Sequence, residues 1–187
     1  FIPGAAEGSE ESWYRWDEAA RRVETELYRI NWDERGNIVS LYDREQEREL
    51  FAGCGNELLL FDDDPGKKFN AWDLAYHIHE HLYEVETHSN WRLKSAGPLF
   101  ITATIERQVL DSRITQEMWI YRRHRRIEFR TRVRWENSEK TLKVRFPFAI
   151  AAGRGTTHIP FGAIERATHR NTSWQQAKYE VLMHYWA

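Results

Sequence analysis

Between Arg125 and Glu136 the chain alternates with a period of two. Ile127, Phe129, Thr131, Val133 and Trp135 fall on one side of an extended strand, and Arg126, Glu128, Arg130, Arg132, Arg134 and Glu136 on the other. A helix would scatter those apolar residues around its circumference. The same rule governs Leu99, Ile101, Ala103, Ile105, Arg107 and Val109, and again Leu142, Val144, Phe146, Phe148 and Ile150. Strands of this kind expose one face and must bury the other against a second layer. Their short spacing and the scarcity of helical patterning specify an all-β fold, an antiparallel β-sandwich. Asn137-Ser-Glu-Lys140 supplies the turn between the last two strands.

The rest of the chain can be read in the same terms. Val23 to Ile30 reads as a strand, Asp33-Glu-Arg-Gly-Asn37 as a turn, and Ile38 to Tyr42 as the returning strand of a hairpin. Glu57 to Phe61 is a further apolar run, stopped by Asp62-Asp-Asp-Pro-Gly66. Trp72 to His88 is open between a strand after residue 77 and a short helix. Residues 1–20 form a lead-in or linker, although Trp13, Tyr14 and Trp16 are too apolar for a pure linker and imply that part of it docks. Residues 21–187 read as one β-sandwich domain. The chain opens on Phe1 and closes in mid-pattern on Tyr-Trp-Ala, as expected of a fragment, incomplete at both ends, of a longer protein.

The charge balance narrows the partners. The net charge is −2, and Glu128 and Glu136 interrupt the arginines of the charged face, so neither nucleic acid nor an anionic membrane is expected to bind. No apolar run approaches a membrane span. The single cysteine, Cys54, allows no internal disulfide and fits a reducing compartment. Nine Trp in a chain that is 14% aromatic argue for a folded domain, and suit both a core and the faces of sugar rings.

Candidate chemistry concentrates after residue 160. Arg166, His169, Arg170, Asn171 and Trp174 fall within nine positions. Asn and Arg give paired, directed hydrogen bonds and Trp a flat apolar face. Three readings stand: a polar, ring-shaped ligand held by the stretch, a clasp in which Arg166 and Asn171 satisfy backbone carbonyls, and a surface loop. Trp72 beside Asp73 is a second sugar-holding pair, a ring to cover C–H groups and a carboxylate to accept from hydroxyls; the alternative is a core Trp beside a turn-capping Asp. His77-Ile-His-Glu-His81 sets three imidazoles at alternate positions, but zinc takes three or four ligands and a fourth is not visible. A polar strand face is the preferred reading, and no metal is expected in this chain. No pair of carboxylates marks itself as a hydrolytic acid and nucleophile. There is no Gly-x-Ser-x-Gly or phosphate loop, and Ser173 near His169 makes no triad by adjacency alone.

Several motifs, in order, carry a resemblance. They are Asn37-Ile-Val-Ser-Leu-Tyr-Asp43, Arg48-Glu-Leu50, Gly55-Asn-Glu-Leu-Leu-Leu-Phe61, Asp63-Asp-Pro65, Asn70-Ala-Trp-Asp73, Gly97-Pro-Leu99, Leu142-Lys-Val-Arg-Phe-Pro147 and Phe161-Gly-Ala-Ile-Glu-Arg-Ala-Thr-His-Arg-Asn-Thr-Ser-Trp174 followed by Ala177-Lys-Tyr-Glu-Val181. Together, over residues 22 to 186, they resemble the C-terminal β-domain of the glycoside hydrolase family 38 α-mannosidases in their bacterial form. Ala167 and Asn70 stand where that family usually has Pro and Asp. The resemblance implies a supersandwich like that of galactose mutarotase, within a retaining glycosidase that removes terminal α-D-mannosyl residues from glycans. It places the Asp nucleophile and the zinc in an upstream N-terminal α/β domain, so this chain is expected to hold no cofactor and to be inactive alone. The partners implied are that catalytic domain and a mannose-containing glycan, with a homo-oligomer allowed and a cytoplasmic location. Trp72, Asp73, Arg166, His169 and Asn171 are the residues expected to line the substrate cleft. A stand-alone carbohydrate-binding module is the competing reading.

Overall fold

A computed structural model describes residues 12–63, 74, 76–83 and 89–187, with the backbone alone at Tyr76 and His77. The strands run β1 (Tyr14–Asp17), β2 (Arg22–Thr25), β3 (Tyr28–Trp32), β4 (Ile38–Asp43), β5 (Arg48–Glu49), β6 (Glu57–Asp62), β7 (Leu82–Tyr83), β8 (Arg92–Ala96), β9 (Phe100–Val109) and β10 (Ser112–Tyr121). They continue with β11 (Ile127–Arg134), β12 (Lys140–Arg145), β13 (Arg154–Ile159) and β14 (Gly162–Ala167), followed by a short helix α1 (Ser173–Ala177). The sheets are β1-β2-β3-β4-β5, β11-β10-β9-β8, β12-β6-β7 and β13-β14, and every pairing among the described residues is antiparallel. The fold is thus the all-β sandwich that the alternation requires.

The β9–β10 hairpin is the spine. Its proximal half puts Ile101, Ala103, Ile105, Met118 and Ile120 against Val23, Tyr28, Ile30, Trp32, Ile38 and Leu41 of the first sheet, with Trp91 filling the space between. Its distal half puts Val109 and Ile114 against Leu60 of β6, flanked by Leu58 and Leu142. One ten-residue strand therefore serves two packing layers, which is why its alternation is the cleanest in the chain.

Where the two layers meet, the inward face turns polar. Arg107, only 2% exposed, donates to the carbonyls of Asn56 (3.1 Å) and Gly36 (2.5 Å). The Asn56 and Gln116 side chains exchange two 3.1 Å hydrogen bonds, and Gln116 also donates to Thr131 Oγ1. Burial pushes the Arg107 guanidinium down to about 10, against the opposing pull of Asp33, so it stays charged at neutral pH. A buried charge persists only with partners in place, and these tie the turn at Gly36 to the spine. Gly36 itself sits at φ 77°, and a Cβ there would overlap the Ile105 side chain.

Several segments differ from the sequence reading. Val23 to Ile30 is two strands, because Thr25 Oγ1 accepts from the amides of Leu27 (3.2 Å) and Tyr28 (3.0 Å) and closes a turn without Gly or Pro. Trp13, Tyr14 and Trp16 do dock: Trp16 lies 4.9 Å from Trp32, and Trp13 Nε1 donates to Gly97 O at 2.9 Å. Residues 76–80 make a 3-10 turn and Leu82–Tyr83 a two-residue strand, so both options for that region are partly realised. The turn at 137–140 does not fold β11 onto β12. It passes the chain from one sheet to another, with Asn137 donating to Val109 O (2.9 Å) and accepting from Asp111 N (3.0 Å). Leu142 to Ile150 is not one strand: β12 ends at Arg145, and Pro147 separates it from a single bridge between Phe51 and Phe148.

The expected buried face of β11 is largely bare. Ile127 and Phe129 are half-buried, but Thr131 and Val133 are exposed, and so is Trp135 beyond the strand's end. Beyond Ile120 no described residue is buried. The later segments are held by pairing of β11 with β10 and β12 with β6, and by contacts at the margin: Phe146 and Phe148 pack on Phe51 (6.0 and 5.3 Å), while Ala52 N donates to Pro147 O and Ala149 N to Leu50 O.

Candidate functional site

The stretch after residue 160 is a hairpin, a turn and a capped helix. β13 and β14 pair from Arg154↔Ala167 to Ile159↔Gly162. The chain then turns through residues 168–171 into α1. Thr172 Oγ1 accepts from Gln175 N (3.3 Å) while Gln175 Oε1 accepts from Thr172 N (3.0 Å), a capping box that fixes where the helix starts.

The sequence candidates scatter across this unit. Arg166 turns inward, donating to Thr157 Oγ1 and, at 3.4 Å, to the carbonyl of Leu182. That is the clasp geometry, made within the C-terminal segment. Asn171 engages through its backbone, its N–H donating to Gln175 Oε1 at 3.0 Å. His169 is exposed in the turn, and Trp174 is 74% exposed on the helix. Trp72 and Asp73 lie outside the described residues.

A cleft forms where the 3-10 turn at 76–80 meets the chain leaving the helix. Its volume is about 320 Å³, and His79, Glu80, Arg170 and Tyr179 line it. Tyr179 is anchored by its hydroxyl, which donates to the carbonyl of Leu74, and Arg170 donates to Tyr179 O at 3.0 Å. Two rings meet the His79 imidazole nearly at right angles, Phe61 at 5.6 Å and Tyr179 at 6.3 Å. Glu180 lies 3.5 Å from His79 Nε2, but it is paired with Lys143, whose ammonium cancels its charge. Burial, and then the charges of Lys143 and Arg170, push the imidazole below its ordinary value, so it is neutral at neutral pH. Arg170 stands out in sequence as part of the polar cluster; His79, Glu80 and Tyr179 give no sign there of joining it. A larger concavity, about 680 Å³, opens beside β1 between Arg15, Glu24, Arg44 and Arg122, with Arg44 committed to the carbonyl of Thr25 at 2.8 Å.

Other chemistry can be placed directly. Among the described residues no three His, Cys, Asp or Glu side chains gather where a metal ion would fit, a statement that leaves out the His77 side chain. Cys54 is half-buried, and burial followed by the charges of Glu57 and Asp33 pushes its thiol up, away from reactivity. Among the described residues the carboxyls that depart from their ordinary values are held low. Lys94 does this to Glu117, Tyr121 and Arg126 to Glu128, and at Asp43 hydrogen bonds from Arg125 and two backbone amides outweigh the effect of burial. A glycosidic proton donor needs the opposite shift.

Layered antiparallel sheets with a polar cleft at one margin define an all-β domain. Comparison with known proteins gives it a family: the chain belongs to the glycosyl hydrolases family 38 C-terminal domain, whose match covers residues 23–187. It is 34% identical over 164 residues to Alpha-mannosidase 2C1 of Mus musculus and 33% identical to that of Homo sapiens, in each case over 86% of this chain. It is 30% identical to Alpha-mannosidase G of Dictyostelium discoideum over 81% of this chain. The chain spans only 16% of the length of the mammalian relatives and 14% of the Dictyostelium one. Among the described residues no helix is long and apolar enough to cross a membrane.

Proposed function

We propose that this chain is the non-catalytic β-domain of an α-mannosidase that hydrolyses terminal α-D-mannosyl residues of glycans. In this reading an upstream catalytic domain supplies the nucleophile and the zinc, and runs a retaining reaction. The observation that carries the proposal is the bare apolar face of the C-terminal third. Val133, Val144, Phe148 and Ile150 are 45%, 51%, 57% and 68% exposed on segments patterned to be covered. Leaving so much apolar surface in water is unfavourable, and exposed apolar surface on strands patterned for burial suits an interface. Relatives about six times longer, named as α-mannosidases, supply the natural cover: the remainder of the same enzyme.

The electrostatics agree with a supporting role. Asp43, Glu117 and Glu128 are stabilised as anions by neighbouring donors, so they are poor proton donors at neutral pH. The full-length parent is expected to release p-nitrophenol from its α-mannoside, and the purified 187-residue chain to release none. Turnover by the chain alone, surviving repurification, would overturn the reading.

A further inference from the structure

We propose that the free edge of β11 takes up one further strand, from a part of the parent enzyme outside these 187 residues, with apolar residues on one face and Asp or Glu on the other. The inference deepens the proposed function and rests on it for the source of that strand.

Hydrogen-bond parity defines the edge. A two-residue turn, Leu110–Asp111, joins β9 to β10, so Val109 and Ser112 on either side of it form a hydrogen-bonded pair. From there the direction alternates. Even-numbered residues of β10 bond toward β9, and odd-numbered ones toward β11. The register carries the alternation across in the pairs Arg113↔Arg134, Thr115↔Arg132, Glu117↔Arg130 and Trp119↔Glu128. Ile127, Phe129, Thr131 and Val133 therefore aim their N–H and C=O groups away from β10, on a side where β11 pairs with no strand among the described residues.

Sheet edges are ordinarily interrupted by bulges, by Pro or by brevity. The opposite edge of this sheet obeys the rule: β8 has five residues, and its register shifts between Leu93 and Ser95. β11 has eight residues, contains no Pro and runs against β10 without a shift. An unbroken edge of that length is a template for another strand. Backbone bonds supply the affinity and side chains the selectivity.

The side chains specify what is added. On one face Ile127 and Phe129 pack at the margin of the core and Val133 is 45% exposed, so apolar residues on the new strand would extend their row. On the other face stand Glu128, Arg130, Arg132 and Arg134. Glu128 is paired with Arg126 and Arg130, and Arg134 with Glu136, whereas Arg132 meets no carboxylate among the described residues. Opposite charges facing across strands stabilise a sheet, and like charges destabilise it. A second copy of β11 would set arginines against arginines; an acidic face would complement them. The chain spans 16% of the length of its mammalian relatives, and an enzyme of their size has ample sequence to supply the strand.

The test is residue-resolved amide hydrogen exchange on the 187-residue chain and on the full-length enzyme, by mass spectrometry with electron-transfer fragmentation. In the chain, the odd-numbered amides of β11 are expected to exchange at least about tenfold faster than the even-numbered ones; in the enzyme the two sets are expected to match. Val133→Pro removes an outward N–H and no bond to β10. It is expected to spare the even-numbered amides of the chain and to return Phe129 and Thr131 to fast exchange in the enzyme. Arg132→Glu is expected to do the same in the enzyme through charge, and answers the case in which Val133→Pro unfolds the chain. Fast odd-numbered amides in the enzyme overturn the inference, as does an Arg132→Glu enzyme whose exchange is unchanged. Odd-numbered amides protected in the chain alone also overturn it, with sedimentation showing whether the cover is its own segment in a monomer or a second copy in a dimer. An enzyme that cleaves mannosides while those amides stay fast leaves the proposed function standing. Protected amides in an enzyme that cleaves none uphold the edge and overturn the proposed function.

Discussion

Strands β9 and β11 are built on the same plan and meet different fates. In β9 Ile101, Ala103, Ile105 and Val109 are all within 1% of complete burial, covered by two separate layers. In β11, on the other side of β10 in the same sheet, Ile127 and Phe129 find partial cover and Val133 is 45% exposed. Alternation makes a face; only a second layer buries it. Residues 23–120 carry their own second layer. Residues 127–187 are held by the β11–β10 and β12–β6 ladders, by Ile127, Phe129 and Leu142 packed at the edge of the core clusters, and by aromatic contacts, and none of them is buried.

The largest expected effect follows from this contrast. Ile105→Ala removes a fully packed side chain and should cost about 2–5 kcal/mol in urea unfolding. Val133→Ala and Val144→Ala should each change the stability of the 187-residue chain by no more than about 0.5 kcal/mol. Comparable losses at the two kinds of position would erase the distinction.

A smaller effect tests the polar band between the layers. Arg107→Met strips the Asn56 carbonyl of its buried donor, and should cost about 1–3 kcal/mol in the same unfolding assay. A neutral outcome would mean that water replaces the guanidinium and that the band is not what ties the Gly36 turn to the spine.

The link from Asp43 to Arg125 joins β4 to the turn before β11, and it is pH-sensitive. The Asp43 carboxyl is lower in the folded chain than its ordinary 3.8. The folded state therefore holds fewer protons there than the unfolded state. Its stabilisation is complete above 3.8 and is lost as pH falls through the lower folded value. Acid titrations followed by circular dichroism should show a shallower loss in Asp43→Asn than in the parent sequence. Identical acid profiles would remove Asp43 from the account.

The smallest effect belongs to the cleft. His79 has a folded value below its ordinary 6.5, so the unfolded chain takes up its proton first as pH falls, and stability declines below that point. His79→Gln should remove that slight decline. An unaltered slope around 6.5 would mean that the imidazole is solvated and its surroundings do not tune it.

Much of this is legible in the sequence and some is not, for definable reasons. The period of two locates β9, β11 and β12 because strand geometry is local. It does not report burial, because cover comes from other elements: Val133 and Ile105 look alike in sequence. The break at Thr25 is hidden because a hydroxyl, and not Gly or Pro, closes the turn. The polar residues around Arg166 stand out as a cluster, yet their division between an inward clasp at Arg166 and a cleft wall at Arg170 depends on which side of the β14-to-helix turn each occupies. The cleft itself is invisible in sequence, since His79 and Tyr179 come together only through the packing of distant segments.

Amide hydrogen exchange over residues 127–187, compared between the 187-residue chain and the full-length enzyme, tests the central claim most directly. Slow exchange along β11 and β12 in the enzyme and fast exchange in the chain alone is the predicted result, with residues 101–120 protected in both. Equal exchange of β11 and β12 in the two forms would contradict the claim that the rest of the enzyme covers this face.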